Sequence, residues 1–170
     1  MKQRGPDVRT LVLIIKKIFD GTFLSIPYQG GISSFSLFLM VCALLKKVDA
    51  DSSLSLSENL SSFFHFYGGV FNPDTWYLKG TELISLEEGD GAQERPLLDP
   101  FIVLDPLVET NNISSSTYRF RDIQAALKQA FRIINQSCEE FQRESSLDKS
   151  YAKVVLDRLL TEIKKKYGSG

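Results

Sequence analysis

The fold is decided by residues 30–47, which read GGISSFSLFLMVCALLKK. Two glycines and a run of serines come first, and an apolar segment interrupted only by Ser36 follows from Phe35 to Leu45. This pattern predicts a mostly buried helix over residues 34–47. The glycines allow a neighbouring group to approach the backbone, and the free N–H groups of the first helical turn would face that group. The apolar segment falls well short of the ~20 residues that a membrane-spanning helix needs.

Helical patterns continue on both sides of this segment. Residues 7–19 are apolar on most sides and predict a second, mostly buried helix. Residues 55–58 match a capping box, which predicts a third helix that ends at the glycine pair 68–69. A long amphipathic helix is predicted from residue 117 to 141, and a last helix from about residue 151, opened by residues 145–148.

A small β component is expected between the third and fourth helices. Residues 76–86 are compatible with a short hairpin, and residues 101–104 form an apolar run between Pro100 and Pro106 that predicts a short strand. The sequence therefore predicts a mainly α fold with a small β component, in one domain over residues 1–167. Residues 168–170 (GSG) resemble a linker or tag remnant.

The charge balance excludes a protein that binds nucleic acid through a generally basic surface. The chain has 170 residues, with 20 Lys and Arg against 21 Asp and Glu, for a net charge of −1. Any contact with RNA must therefore be local or come from another domain. No signal peptide is expected, because charged residues precede the first apolar run. Cys42 and Cys138 lie in apolar helical patterns and are predicted to be buried free thiols in a reducing intracellular compartment.

Several kinds of catalytic site have no support in the sequence. His65 is the one histidine, no Cys/His cluster is present, and no nucleophile elbow, Walker loop or G-x-G-x-x-G motif occurs. Asp49 and Asp51 form a carboxylate pair of the kind that holds metal ions. Because the pair follows a helix and precedes a serine-rich loop, solvated loop acids are the favoured interpretation.

A set of separated polar and aromatic residues points to nucleotide binding. A lysine, helix-start hydroxyls, an aromatic ring and paired amides can together bind triphosphate, sugar and base. The candidates are Lys16, Ser33, Ser34, Phe35, Asn111 and Asn112. Each also has a simpler interpretation. Lys16 fits a surface charge, Phe35 fits the core, and the asparagines fit an Asx turn or a cap.

Six blocks of this sequence, in order, resemble the central domain of the Trf-type template-independent poly(A) polymerases. These enzymes are polymerase-β-like nucleotidyltransferases and form the adenylating subunit of the nuclear TRAMP complex. The matching blocks are LVLIIK at 11–16, GGISSFS at 30–36, FFHFYG at 63–68, DP at 105–106, NNIS at 111–114 and RDI at 121–123.

The resemblance implies a role for each candidate residue, with ATP as the substrate. Lys16 would contact the nucleotide phosphates, and Ser34 or Ser33 would donate hydrogen bonds to them from the helix start. Phe35 would stack on the incoming base, a contact typically worth ~1–3 kcal/mol. Asn111 and Asn112 lie in the loop that reads the base edge in this family. No residue of this chain is assigned a catalytic or metal-binding role.

Three departures from the family pattern bear on activity. Ser115 stands where relatives often have arginine, and Asp20 stands where some have a second basic residue, so nucleotide affinity is expected to be weak. The Gly-Ser motif and the three carboxylates that hold two Mg²⁺ ions in the family are absent from this sequence, and only ten residues precede Leu11. The chain alone is therefore expected to be inactive, with Mg²⁺ bound in the parent enzyme only.

The resemblance also implies a cellular setting. The parent would add adenylates to RNA 3′ ends in the nucleus for exosome-linked RNA surveillance. Its central domain would contact its own catalytic domain, the RNA 3′ end and a zinc-knuckle RNA-binding protein, and no membrane. The alternatives are a free-standing, non-catalytic interaction module of the same fold, a fragment of a terminal uridylyltransferase, and a helical domain with an accidental motif match.

Overall fold

The computed structural model describes residues 5–48, 54–86, 99–143 and 150–168. In these ranges the helices are α1 (Gly5–Phe19), α2 (Ser34–Lys47), α3 (Leu56–His65), α4 (Phe120–Arg143) and α5 (Ser150–Tyr167). Two 3-10 turns, Phe23–Ser25 and Pro27–Gln29, join α1 to α2, and a π-helical turn, Phe66–Val70, continues α3. The strands are β1 (Trp76–Lys79), β2 (Glu82–Ser85) and β3 (Val103–Leu104). The predicted fold class, mainly α with a small β component, is confirmed.

The packing of α1 against α2 follows from their apolar faces. α1 buries four side chains at helical spacing: Leu11, Ile15, Ile18 and Phe19. α2 covers residues 34–47 as predicted, and eight of its side chains are buried. The connecting turns press against Gly31, where a Cβ atom would lie 2.3 Å from the carbonyl oxygen of Phe23. Only glycine fits at this position, so the close approach predicted for the glycine pair is present at Gly31.

The capping box predicted at the start of α3 is formed. Ser55 Oγ accepts the N–H of Glu58, and the Glu58 carboxylate accepts the Ser55 N–H at 2.7 Å. The Glu58 carboxylate accepts hydrogen bonds from the Ser55 hydroxyl and the Ser55 N–H, which hold the pKa of the Glu58 carboxyl below its usual value. The reciprocal bonds satisfy N–H groups that a helix start would otherwise leave without partners.

The glycine pair does not end α3 in the predicted manner. Helical structure continues through a π turn to Val70, and neither glycine has a positive φ angle. Gly68 is required for packing instead, because a Cβ atom there would lie 2.6 Å from the backbone nitrogen of Lys128 in α4. The side-chain amide of Gln124 donates to the carbonyl of Phe71 at 2.7 Å, just beyond the turn. Gly68 therefore allows close contact with α4, and neither glycine forms a left-handed helix cap.

The predicted hairpin is confirmed, and the predicted strand is shorter than expected. β1 and β2 pair antiparallel, with Tyr77 opposite Ile84, while β1 and β3 pair parallel, giving the order β2-β1-β3. Only Val103 and Leu104 of the run 101–104 are in a strand. Phe101 lies in the core instead, where its ring stacks on another aromatic ring.

The buried face of α4 differs from the predicted one in its second half. The pattern predicts Ile134, Cys138 and Phe141 on that face, whereas Ile133 and Ser137 are the buried residues. α5 packs against α4 and contributes buried side chains there, which moves the buried face by one residue.

The prediction of free thiols is confirmed, and the prediction of their burial is not. Both thiols are free, but Cys42 is only partly buried and Cys138 is exposed. Because the buried face of α4 passes through Ser137, its neighbour Cys138 faces solvent. The expectation of two buried thiols is therefore wrong for Cys138.

Some predictions concern residues outside the described part of the chain. They include the carboxylate pair Asp49 and Asp51, the first two serines of the loop that follows it (Ser52 and Ser53), and the segment 145–148. The boundary at residues 167–168 stays a prediction, although Gly168 forms an antiparallel bridge with Thr22. Within the described residues, none of the helices combines the length and hydrophobicity needed to cross a membrane.

Candidate functional site

The start of α2 presents an exposed hydroxyl beside a capped helix end. Ser33 is the N-cap residue, since its Oγ accepts the Ser36 N–H at 3.0 Å and donates to Ser36 Oγ at 2.9 Å. Its hydroxyl is thus used within the fold. Ser34 is the first residue of the helix, and its side chain is exposed. A helix start carries partial positive charge and favours anions, so Ser34 is the better placed of the two to meet a phosphate.

Lys16 and Ser34 are brought together across α1 and α2. Lys16 Nζ donates to Ser34 Oγ at 2.9 Å, although 18 positions separate them in sequence. Both residues line a small cavity of 20 Å³ and, on another side, an open apolar groove of 380 Å³ that includes Phe38. Within the described residues Lys16 has no carboxylate partner. Its positive charge is therefore available at the helix start.

The negative charge of Asp20, which departs from the family pattern, is partly neutralised by a neighbouring lysine. Asp20 accepts a hydrogen bond from Lys17 Nζ at 3.1 Å. The hydrogen bond and the charge of Lys17 hold the pKa of the Asp20 carboxyl below its usual value. Asp20 therefore remains ionised, and Lys17 offsets part of the repulsion that this carboxylate would exert on a phosphate.

Phe35 follows Ser34 in α2, and its ring is half exposed. Its side chain is 47% exposed, although most of the apolar residues of α2 are buried. The interpretation of Phe35 as a core residue is therefore wrong. The exposed ring offers an apolar face within one residue of the Ser34 hydroxyl.

Asn112 and Asn111 have different positions. Asn112 is buried, and its Oδ1 accepts hydrogen bonds from the N–H groups of Val103 and Ser114, both at 3.0 Å. Its Nδ2 donates to Asp99 at 2.8 Å and to the carbonyl of Phe101 at 3.3 Å. The alternative of an Asx turn is thus confirmed for Asn112, and its side-chain amide holds β3 in place.

Asn111 is the exposed member of the pair. Its Nδ2 lies 3.5 Å from Asp105 Oδ2, and the other oxygen of Asp105 accepts the Leu107 N–H at 2.8 Å. The carboxylate therefore ties together the two ends of a short loop. Asn111 is oriented by this loop and remains accessible, so its predicted contact with a base edge stays a prediction.

The loop that carries the asparagines is bound to the start of α2. Thr117 Oγ1 donates to the carbonyl of Gly31 at 3.2 Å, and the Arg119 N–H donates to the carbonyl of Gly30 at 3.2 Å. Ser36 Oγ also donates to the carbonyl of Ile113 at 3.5 Å. These contacts join segments more than 70 positions apart in sequence. The structure thus brings the helix start and the asparagine loop into one region.

Two exposed tyrosines in this region were not predicted. Tyr28 is 80% exposed and Tyr118 is 58% exposed. Tyr118 approaches Gly30 so closely that a Cβ atom there would lie 2.7 Å from its ring. Arg119 covers the ring of Phe23, with its guanidinium carbon 3.6 Å from the ring centroid. In the sequence, the signal that could have placed Tyr28 in this region is its position two residues before the glycine pair.

The described residues offer no donor set for a divalent metal ion. Within those ranges no group of three or more His, Cys, Asp or Glu side chains lies together. His65 is exposed, and its ring packs against Phe131 with centroids 4.9 Å apart. The described residues therefore do not fit the two-ion Mg²⁺ site that the resemblance implies for the parent enzyme.

The sequence relatives of this chain are poly(A) RNA polymerases. No protein-family model matches the chain. Poly(A) RNA polymerase protein 2 of Saccharomyces cerevisiae is 28% identical over 154 residues, covering 85% of this chain and 26% of that protein. Poly(A) RNA polymerase protein 1 of Eremothecium gossypii is 29% identical over 152 residues, covering 79% of this chain and 23% of that protein. The chain thus spans about a quarter of the length of these relatives.

Solved structures share the fold. The polymerase core of TRAMP, an RNA surveillance complex, superimposes with a TM-score of 0.70 at 24% identity, over 93% of this chain and 50% of that chain. The structure of mtPAP in complex with UTP gives a TM-score of 0.62 at 16% identity, over 93% of this chain and 39% of that chain. The chain is thus similar in sequence to poly(A) RNA polymerases, and the resemblance to the Trf-type enzymes is confirmed.

Proposed function

We propose that this chain is the nucleotide-binding and partner-docking central domain of a poly(A) polymerase that adds adenylates to RNA 3′ ends. The observation that carries the proposal is the 2.9 Å contact between Lys16 Nζ and Ser34 Oγ at the start of α2. It places a cation, a hydroxyl and a helix N-terminus at one point, beside an exposed aromatic ring. The poly(A) RNA polymerases related to this chain support the same assignment.

The triphosphate of ATP would bind at this point. A phosphate oxygen can accept hydrogen bonds from both the ammonium of Lys16 and the hydroxyl of Ser34. The first N–H groups of α2 add a favourable field, since a helix start attracts anions. Lys16 has no competing carboxylate among the described residues, so its charge would be directed to the ligand.

The base would lie between Phe35 and the asparagine loop. Phe35 would stack on one face of the adenine, and the Asn111 amide would hydrogen-bond to its edge. Asn112 would act indirectly, because its buried amide fixes β3 and the loop from which Asn111 projects. The bonds from Thr117 and Arg119 to the glycine pair would keep this loop at a fixed distance from α2.

The chemical step belongs elsewhere in the parent protein. Since the described residues present no cluster of carboxylates, no Mg²⁺-dependent step is assigned to them. This chain would supply the binding half of a cleft and would be inactive alone. Its share of the catalytic work would be to bind and orient the nucleotide.

The proposed cellular role is nuclear RNA surveillance linked to the exosome, with a zinc-knuckle RNA-binding protein as the docked partner. Two structural neighbours support a role in protein complexes. One is the polymerase core of TRAMP, and the other is a GLD-2/RNP-8 complex, with a TM-score of 0.54 at 18% identity. The same fold also occurs in mtPAP structures with UTP, GTP and ATPγS.

The assignment of Lys16 can be tested by calorimetric titration of the chain with a non-hydrolysable ATP analogue. Lys16→Ala is expected to weaken binding by about 10-fold or more, because hydrogen bonds to charged groups contribute about 1.5–3 kcal/mol. Lys153→Ala removes an exposed lysine on α5, outside the candidate site, and serves as the matched control. Equal weakening in both variants would reject the specific role of Lys16.

The assignment of Phe35 has its own matched control. Phe141 is equally exposed, at 48%, but it lies on α4 and packs against Tyr151. Phe35→Ala is expected to weaken binding of the analogue by about 5-fold or more, from a stacking contribution of ~1–3 kcal/mol. Phe141→Ala should leave the affinity unchanged. Absence of nucleotide binding by the wild-type chain would instead favour the non-catalytic interaction module, and a preference for a UTP analogue would favour the uridylyltransferase.

A further inference from the structure

A second candidate site lies in the groove between α4 and α5. This groove has a volume of 740 Å³ and is open to solvent. Its lining is predominantly polar and includes four cationic side chains, two glutamines and one carboxylate. The lining residues are Ala125, Lys128, Gln129, Arg132, Ile133, Gln136, Arg158, Glu162 and Lys166. We name it the α4–α5 groove.

The cations of the α4–α5 groove form two rows. Lys128 and Arg132 are one turn apart on α4, and Arg158 and Lys166 are two turns apart on α5. The cations on α5 span eight residues, or about 12 Å of helix, and those on α4 span four residues, or about 6 Å. The chain as a whole has a net charge of −1, so this concentration of positive charge is local. A cleft lined by one sign of charge attracts a polyanion of the opposite sign.

Acidic groups of the protein compensate only part of this charge. Arg158 lies 3.6 Å from a carboxylate oxygen of Glu140, and Glu162 is the one acid in the lining. Within the described ranges neither Lys128 nor Arg132 has an ion-pair partner. Both are exposed. The α4 wall of the groove therefore presents two uncompensated positive charges to solvent.

One end of the α4–α5 groove is connected to the candidate nucleotide site. Lys166 is followed by Tyr167, whose ring packs edge-on against Phe23 with centroids 6.0 Å apart. Phe23 is covered by the guanidinium of Arg119, and the Arg119 N–H is bound to the carbonyl of Gly30. A continuous series of contacts thus leads from the groove to the start of α2.

We propose that the α4–α5 groove binds the phosphate backbone of single-stranded RNA a few nucleotides from its 3′ end. The proposal rests on the proposed function, because that function places the RNA 3′ end beside the nucleotide. Lysine and arginine contacts to phosphates give affinity without sequence preference. The glutamine amides add hydrogen bonds to phosphate or sugar oxygens. This local binding reconciles a nearly neutral chain with an RNA substrate.

The test is fluorescence anisotropy of the 170-residue chain with a labelled oligoadenylate, measured over a range of salt concentrations. The groove variant is Lys128→Glu with Arg132→Glu. The matched control is Arg143→Glu with Lys153→Glu, which makes the same change in net charge on α4 and α5 outside the groove lining. Melting temperatures of all variants are compared first, so that only folded proteins enter the titration.

The groove variant is expected to bind the oligoadenylate at least about 10-fold more weakly, whereas the control stays close to wild type. Its salt dependence should also decrease by about 1.4 in the slope of log K against log salt, because each lost phosphate contact on a single strand contributes about 0.7. Equal weakening in both variants would overturn the proposal in favour of general charge attraction. Unchanged RNA binding in the groove variant, with loss of binding to a glutamate-rich peptide, would assign the groove to an acidic protein segment instead.

The proposals for the two sites can be rejected independently. Phe35→Ala should weaken binding of the ATP analogue and leave the oligoadenylate affinity unchanged. The groove variant should weaken oligoadenylate binding and leave the affinity for the ATP analogue unchanged. Binding of RNA through the groove by a chain that does not bind nucleotide would remove the proposed function and retain the groove. Nucleotide binding without any RNA binding would overturn the groove proposal alone.

Discussion

Phenylalanine side chains have opposite environments in two regions of the molecule, a buried aromatic cluster and the start of α2. In the cluster, Phe101 and Phe120 are fully buried and stack with centroids 3.8 Å apart and planes 5° apart. Phe71 packs edge-on against both. On α2, Phe35 and Phe38 leave 47% and 42% of their surface in solvent.

This difference separates residues that hold the fold from residues that are available to a ligand. Burial of a phenylalanine stabilises a protein by removing apolar surface from water, and the cluster gains this fully. Phe35 gains only part of it, on a helix where eight neighbours are buried. Because Phe35 directly follows Ser34 at the start of α2, its exposed surface is available to a ligand at the helix start.

The largest expected effect comes from truncating one ring in each region. Phe120→Ala should lower the free energy of unfolding by about 3–5 kcal/mol, because it leaves a cavity against Phe101. Phe35→Ala should change stability much less, since its ring is half exposed. Chemical denaturation of both variants measures the difference. A similar loss in the two variants would mean that Phe35 is also a structural residue.

An intermediate effect is expected at the glycine pair of the π turn. Gly68→Ala should destabilise the protein by about 1–3 kcal/mol, because the added Cβ meets the backbone of α4 near Lys128. Gly69→Ala is the matched control, since nothing lies within 4 Å of its added Cβ. That variant should be neutral or more stable by up to about 1 kcal/mol. Thermal unfolding of the two variants compares them directly, and equal melting temperatures would contradict the packing role of Gly68.

The local elements were predictable because their signals are local. The capping box at 55–58, the hairpin at 76–85 and the limits of α2 each depend on residues within a few positions. The buried face of α4 was predicted less well in its second half. There the choice between Ser137 and Cys138 depends on where α5 packs, and a single helical pattern does not contain that information.

The candidate site was predictable as a list of residues but not as an arrangement. The pattern indicated Lys16, Ser34 and Phe35, and the structure adds the contact between the first two. It did not distinguish Asn111 from Asn112, since both are amides in one loop. The burial of Asn112 depends on β3 and Asp99, which precede it by several positions. The α4–α5 groove was not predicted, because its cations come from two helices whose packing the sequence does not specify.

The smallest expected effect concerns Tyr67, a core residue with a polar group. Its hydroxyl donates to the carbonyl of Met40 at 2.9 Å, and burial raises the pKa of the phenol well above 10.0. Tyr67→Phe should lower stability by about 0.5–1.5 kcal/mol near neutral pH, from the lost hydrogen bond. Tyr28→Phe is the control: Tyr28 is 80% exposed, so this variant should leave the stability unchanged.

The pH dependence of this effect sharpens the comparison. Because the pKa of Tyr67 is higher in the folded protein than in the unfolded chain, ionisation on unfolding favours the unfolded state above pH 10.0. The contribution of Tyr67 to stability is thus fully present below that pH and decreases as the pH rises through the raised pKa. Urea unfolding at about pH 8 and about pH 11 should show a smaller loss for Tyr67→Phe than for wild type. Parallel losses in both proteins would mean that the Tyr67 hydroxyl reaches solvent in the folded state.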